Sequence, residues 1–315
     1  MWELILLFLA GFYVGWNIGA NDTANCIGTS VGSGLLSYRR AAYLVAFFVV
    51  VGALLQGHGV MKTIGKGIVT EQLPMRAILV AMASAGLFVT LATVMKLPVS
   101  TSQAIVGGVA GVGFSAGAEV DLSKLLVIVQ VWVLCPFLTA LLSLVLYHLL
   151  AVPLRRIRRV GIWDWLLQNL VILTAGYVAF SLGANDVGNA IGPIANLGFS
   201  PWWLALLGGG ALATGALLYG RGVTETVGGG ITPLDPLSAV AAQASAALAV
   251  HLFSILGIPV STTQAVIGAV AGVGLVKGVR AVSRRRIVEI VIGWVATPTT
   301  AGLFSFGLYR LVASI

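Results

Sequence analysis

Apolar residues in this chain come in long continuous runs. Predominantly hydrophobic stretches cover 41–57, 76–95, 125–151, 237–256 and 287–309. Each approaches or exceeds the ~20 residues a helix needs to cross a bilayer. Period-two alternation, the mark of a transmembrane barrel, is missing from them. Counting every apolar run as a span gives about ten crossings. The pattern predicts an all-α polytopic membrane protein.

Polar interruptions predict where the helices break. Residues 2–36 are mostly apolar, yet as one helix they would be roughly 50 Å long, against a hydrocarbon core of ~30 Å. A break is expected near Gly19–Asp22, with Gly28, Gly32 and Gly34 as further points of flexure. Pro98 and Pro259 mark a second pair of breaks. They precede Ser100-Thr101-Ser102-Gln103 and Ser261-Thr262-Thr263-Gln264. Serine and threonine favour helix N-caps, so each cluster predicts a fresh helix starting inside the membrane. Gly107 with Gly111, and Gly268 with Gly272, would let those helices pack closely on a neighbour. Residues 76–116 fit either two full crossings or one re-entrant hairpin.

The breaks are duplicated because the chain is. Residues 19–28, GANDTANCIG, and 183–192, GANDVGNAIG, share seven identities in ten. Residues 60–68 resemble 223–231, and 96–113 match 257–274 at twelve of eighteen positions. Trp132, Pro136, Ser143 and Tyr147 correspond to Trp294, Pro298, Ser305 and Tyr309. A long period present twice indicates a duplicated bundle rather than a solenoid. The halves divide as a first transmembrane repeat at 1–152, a short basic linker at 153–162 and a second repeat at 163–315.

Charge orients the halves. Arg39 and Arg40 follow the first signature, where the second half has Trp203 and Leu204. The late loop of half one carries Glu119 and Asp121, whereas its counterpart carries Lys277, Arg280, Arg284, Arg285 and Arg286. Equivalent loops of opposite basic content belong on opposite sides of the membrane, so the repeats are inverted. The linker, with Arg155, Arg156, Arg158 and Arg159, is then cytoplasmic and both termini are outside. Lys62 and Lys66 fall outside as well, against the charge rule. Only 9% of the 315 residues are charged, where soluble domains average about 25%. The net charge of +8 sits mainly in short loops, so membrane topology explains it and nucleic acid is not implied. Cys26 and Cys135 lie in apolar segments and make no metal motif. Trp163, Trp165, Trp202 and Trp203 read as interfacial anchors.

Ionisable groups at membrane depth are costly, so Asp22 and Asp186 are functional candidates. On a helix, Asn21, Asp22 and Asn25 share a face, as do Asn185, Asp186 and Asn189. Their oxygens are hard ligands suited to sodium, or the carboxylate could carry a proton. The plainer alternative is a polar contact between helices. The hydroxyl clusters at 100–103 and 261–264 suit an anion, because helix N-termini present unpaired N–H groups and a partial positive charge. Their plainer alternative is capping. Gln103 and Gln264 could join either set, and Glu225, opposite Lys62 in the repeat, reads equally as a loop or gate charge. His58, His148 and His251 are unduplicated and read as packing or interfacial residues. No P-loop, HExxH or nucleophile elbow is present, which speaks against an enzyme. A carrier with a site at the repeat interface fits best; a channel and a membrane-embedded enzyme are the other classes to test.

The paired GAND signatures and the duplicated PVST(S/T)Q motif, spanning both halves, resemble the inorganic phosphate transporter family. That resemblance implies a multi-pass carrier of the plasma membrane that takes up inorganic phosphate by symport with sodium or protons, needs no organic cofactor, and often dimerises. It assigns phosphate to Ser100, Thr101, Ser102, Gln103, Ser261, Thr262, Thr263 and Gln264 with Asp22 and Asp186. It assigns the cation to Asn21, Asp22, Asn25, Asn185, Asp186 and Asn189, with sodium expected at Asp22, Asp186, Asn21 and Asn185. The chain departs from the pattern in its short central linker, and in Val49 and Gln243 where some relatives have glutamate. A sulfate or other oxyanion permease and an anion channel are the alternatives. The intact aspartates favour phosphate, which keeps a proton to donate at neutral pH where sulfate has none.

Overall fold

A computed structural model describes residues 2–32, 34–154, 156–230, 234–276 and 284–314, without the side chains of 227–230 and 284–291. Arg155, Lys277 and Arg280 of the charge analysis lie outside the described residues, as do the side chains of Arg284, Arg285 and Arg286. The first half comprises α1 (Trp2–Gly32), α2 (Tyr38–Gln56), short α3 (His58–Lys62) with a π-helical turn at Thr63–Gly67, α4 (Met75–Val94), α5 (Thr101–Ala116) and α6 (Leu122–Leu154). The second repeats that order with α7 (Val160–Ile191), α8 (Pro201–Tyr219), α9 (Arg221–Gly230), α10 (Pro236–Ile255), α11 (Thr262–Val276) and α12 (Arg284–Ala313). Among the described residues seven of these, α1, α2, α4, α6, α7, α8 and α10, are long and apolar enough to cross a membrane. That is fewer than the count of apolar runs: α5 and α11 have only 16 and 15 residues, and α12 is not among the seven.

One expectation fails. The first signature does not interrupt its helix: α1 continues through Gly19–Asp22 to Gly32, and the chain turns only at Gly34, whose φ is +75°. The second signature likewise sits inside α7. Both glycines serve close approach instead of bending. A β-carbon on Gly19 would stand 1.9 Å from the Leu212 carbonyl oxygen of α8, and one on Gly183 would stand 2.0 Å from that of Val49 in α2. Small residues supply the contact that draws membrane helices together. A helix longer than the bilayer accommodates by tilting or projecting beyond it.

The predicted breaks after Pro98 and Pro259 do occur, and each begins a helix. α4 and α5 form a hairpin whose turn lies beside Asn21, two-thirds of the way along α1: the Asn21 amide reaches the Leu97 carbonyl at 3.0 Å. The α10–α11 hairpin ends beside Asn185 of α7 in the same way. The tips meet head on, with Ser102 Oγ donating to the Val260 carbonyl at 2.7 Å and Thr263 Oγ1 to that of Val99 at 3.0 Å. Two hairpins pointing at one another make the repeats inverted.

The halves also interlock. α5 packs on α12 and α11 on α6, through Gly107 against the Pro298 carbonyl and Gly268 against that of Pro136. The duplicated prolines and glycines are thus two sides of one contact. The end of α6 and the starts of α7 and α10 cluster at one face, through Ala151, Leu154, Leu167 and Leu237. The π-helical turn lies at the other face, where Gly65 meets Gly192 and Asn196, and Gly67 meets Lys124. Lys62 and Lys66 therefore face away from the arginine linker. Trp165, Trp202 and Trp203 are exposed, as anchors should be, while Trp163 packs against the Ala151 cluster.

Candidate substrate and cation site

α1 and α7 carry the signature side chains into the centre of the bundle, where the two hairpin tips close on them. Every non-glycine residue of the two signatures and the two hydroxyl clusters named above is at most 5% exposed. Asp22 Oδ2 accepts from the Thr101 hydroxyl at 2.7 Å, and Oδ1 from the Asn25 amide at 2.8 Å. Asp186 repeats the pattern with Thr262 at 3.1 Å and Asn189 at 2.5 Å.

The cross-contacts join the halves. Asn25 of the first half also donates to Thr263 of the second at 2.9 Å, and Asn189 of the second to Ser102 of the first at 2.6 Å. Ser102 and Thr263 lie 3.3 and 3.5 Å from Asp186 and Asp22 respectively. Each has one proton, which the nearer carbonyl of the opposing tip receives. The two carboxylates, 164 positions apart in sequence, thus sit in two hydrogen-bonded clusters, each drawing on both hairpin tips and joined to the other through the chain neighbours Thr101–Ser102 and Thr262–Thr263.

Asn21 and Asn185 brace the tips. Asn21 Oδ1 accepts the Val99 N–H at 3.2 Å while its amide donates to Leu97 and Thr93. Asn185 Oδ1 accepts the Val260 N–H at 3.1 Å and its amide donates to the Val260 carbonyl at 2.8 Å. Ser100 and Ser261 are N-caps, taking the Gln103 and Gln264 N–H groups at 3.3 and 3.1 Å. Helix geometry leaves the N–H groups of Thr101, Ser102, Thr262 and Thr263 without intrahelical partners, and among the described residues no side chain takes them. Two helix N-termini with spare donors meet here.

Two features suit a cation. Among the described residues no lysine or arginine pairs with either aspartate; the ion pair that does occur, Arg221–Glu225, is exposed. Gln103 Oε1, Gln264 Oε1 and Asn189 Oδ1 are buried without a hydrogen-bond partner. Buried acceptors are normally satisfied, and carbonyl and carboxylate oxygens are the ligands hard cations take.

Several contributors carried little or no signal in the sequence. Backbone groups of Leu97, Val99 and Val260 have none, and Thr93 is not duplicated. Trp132 did, as a repeat match: its indole donates to the Pro259 carbonyl at 3.0 Å and fixes the second tip. Gln243 is fully engaged, bridging Cys26 and Ser30 of α1 to Thr174 of α7. His251 is held between Tyr177 at 2.7 Å and Gln56 at 2.5 Å. Glu225 is spent on its surface ion pair and does not join the site.

Inverted repeats whose broken helices meet over buried polar groups define a membrane transporter of the alternating-repeat class. A family model described as the phosphate transporter family matches this chain twice, at residues 18–163 and 159–305. The chain is 31% identical to a "Putative phosphate permease" of Pyrococcus abyssi, over 98% of both chains. It is also 31% identical to one of Methanocaldococcus jannaschii, over 98% of this chain and 97% of that one. A solved structure described as "The sodium-dependent phosphate transporter" superposes with a TM-score of 0.89 at 30% identity, covering all of both chains. The chain belongs to the phosphate transporter family.

Proposed function

We propose that this chain imports inorganic phosphate by symport with sodium, through alternating access around the meeting hairpin tips. One observation carries the reading: two buried carboxylates, with no cationic side chain paired to them among the described residues, lie beside two helix N-termini whose first N–H groups no described side chain takes. A buried, uncompensated carboxylate costs several kcal/mol, and an approaching anion would add to that cost. A cation at the aspartates offsets both, so each solute raises the affinity of the other. The superposing transporter is described as sodium-dependent, which favours sodium over a proton.

In this reading sodium takes Asp22 and Asp186 together with the unpartnered oxygens of Gln103, Gln264 and Asn189, and Asn21, Asn25 and Asn185 hold that framework. The hydroxyls of Thr101 and Thr262 donate to the carboxylates; a cation there frees them to turn to the anion. Phosphate then sits on the N–H groups and hydroxyls of Thr101, Ser102, Thr262 and Thr263, with Ser100 and Ser261 fixing the helix starts. Hydrogen phosphate also has a proton to give to a carboxylate, which discriminates against sulfate. Because α5 packs on α12 and α11 on α6, each pair can tilt as a unit, and tilting one hairpin unit against the other opens the tips to alternate sides.

Radiolabelled phosphate uptake into proteoliposomes, under sodium and proton gradients imposed separately, tests this. Sodium-driven accumulation that sulfate does not compete away is expected. Uptake driven by the proton gradient alone would move the coupling to H⁺, and currents far above carrier turnover would make the protein a channel.

A further inference from the structure

At the tip of the α10–α11 hairpin, Ile255, Leu256 and Gly257 form one wall of a pocket of about 340 Å³ also lined by Lys62, Thr63, Lys66 and Lys124. From this wall the chain runs through Ile258 and Pro259 straight into Val260, whose carbonyl takes Ser102 and Asn185. The pocket therefore stands over the central site on the face away from the arginine linker. All three lysines are exposed, and among the described residues no carboxylate forms an ion pair with any of them. Acids lie on the adjoining loops, where Asp121 caps the Lys124 N–H at 2.8 Å, Glu119 takes the Thr70 hydroxyl at 3.1 Å and Glu71 follows Thr70, but none of the three lines the pocket.

The repeat shows that this charge is not inherited symmetrically. Lys62 and Lys66 correspond to Glu225 and Gly229, and Glu225 is neutralised by Arg221 at 2.8 Å. At the opposite tip, Lys96 packs against Gly222, next to the Arg221–Glu225 pair. The lysines also lie where the positive-inside rule disfavours them, so topology does not account for them.

We infer that Lys62, Lys66 and Lys124 form an outer vestibule that collects phosphate-bearing anions ahead of the central site. The inference rests on the phosphate-transport reading. Flexible lysine ammonium groups in an open pocket raise the local concentration of an anion, an effect that ionic strength screens. Such groups alter capture and leave the buried translocation step alone. They therefore act on KM and not on the maximal rate.

The test uses the full chain in phosphatidylcholine vesicles with a constant sodium gradient, ionic strength being varied with choline chloride. Initial rates of inorganic phosphate uptake are compared for the wild type, a Lys62→Gln/Lys66→Gln/Lys124→Gln variant and the matching Lys→Arg triple, each checked for monodispersity. The Gln triple should raise KM about three- to tenfold at low ionic strength with an unchanged maximal rate. The gap should close at about 0.5 M salt, where the Debye length shrinks to a few ångströms, and the Arg triple should match the wild type. Unchanged KM in the Gln triple overturns the inference, as does a fall in maximal rate alone. A difference confined to vesicles containing phosphatidylglycerol would assign the lysines to a lipid headgroup and also overturn it. Failure of the wild type to take up phosphate would instead defeat the transport reading itself.

Discussion

Replacing Gly19 by alanine tests the helix spacing on which the site depends. A β-carbon there would lie 1.9 Å from the Leu212 oxygen and 2.7 Å from its carbonyl carbon. Both are backbone atoms of α8 and cannot rotate aside, so α1 and α8 must part by about 1.5 Å to regain ordinary contact. Overpacking that side chains can absorb costs about 1–3 kcal/mol; with backbone on the far side, about 3 kcal/mol or more is expected. Asp22 lies three residues along the same helix, and its 2.7 Å bond to Thr101 would stretch past the range where hydrogen bonds hold their strength. Gly183→Ala should behave alike, with 2.0 Å to the Val49 oxygen. Gly210→Ala on α8 is the contrast, because nothing lies within 4 Å of its added carbon and alanine favours helix by about 0.5–1 kcal/mol. Thermal midpoints of the full chain in detergent, with phosphate uptake in vesicles, measure both effects. Gly210→Ala should stand at or above the wild type, and the two signature variants below it with most uptake lost. A wild-type midpoint for Gly19→Ala would show that α1 and α8 do not approach as closely as described.

Asp22→Asn and Asp186→Asn keep shape but remove charge; each should lower uptake more than about tenfold, or ~1.4 kcal/mol, with a near wild-type midpoint. Normal uptake by both would remove the aspartates from the mechanism. Gln103→Leu and Gln264→Leu delete buried oxygens that have no hydrogen-bond partner, a defect worth about 1–3 kcal/mol. They should raise the midpoint yet require more sodium for half-maximal uptake, and an unchanged sodium dependence would show that these amides are not ligands. Lys96 occupies a left-handed turn at φ 58° where the other hairpin has Gly257 at φ 70°. Lys96→Gly should therefore stabilise the chain by about 1 kcal/mol, and an unmoved midpoint would show the turn to be unstrained.

The membrane class, the duplication, the inversion and the helix starts after Pro98 and Pro259 were legible in the sequence. Apolar run length, repeated motifs and loop charge are local properties, and proline followed by serine and threonine restricts the backbone wherever it occurs. The path of α1 was not legible. GAND reads as a break when only one helix is considered, because glycine loosens a chain and a buried aspartate needs partners. Packing decides otherwise: Gly19 is the seat for Leu212, and Thr101 and Asn25 supply what Asp22 needs without unwinding the helix. The exchange across the repeat, with Asn25 reaching Thr263 and Asn189 reaching Ser102, was equally hidden. So was the division of labour that makes Asn21 a brace and leaves the oxygens of Gln103 and Gln264 unpartnered. Sequence states which groups a membrane must accommodate. Which of them meet depends on close approach between helices far apart in the chain, and only the folded bundle decides that.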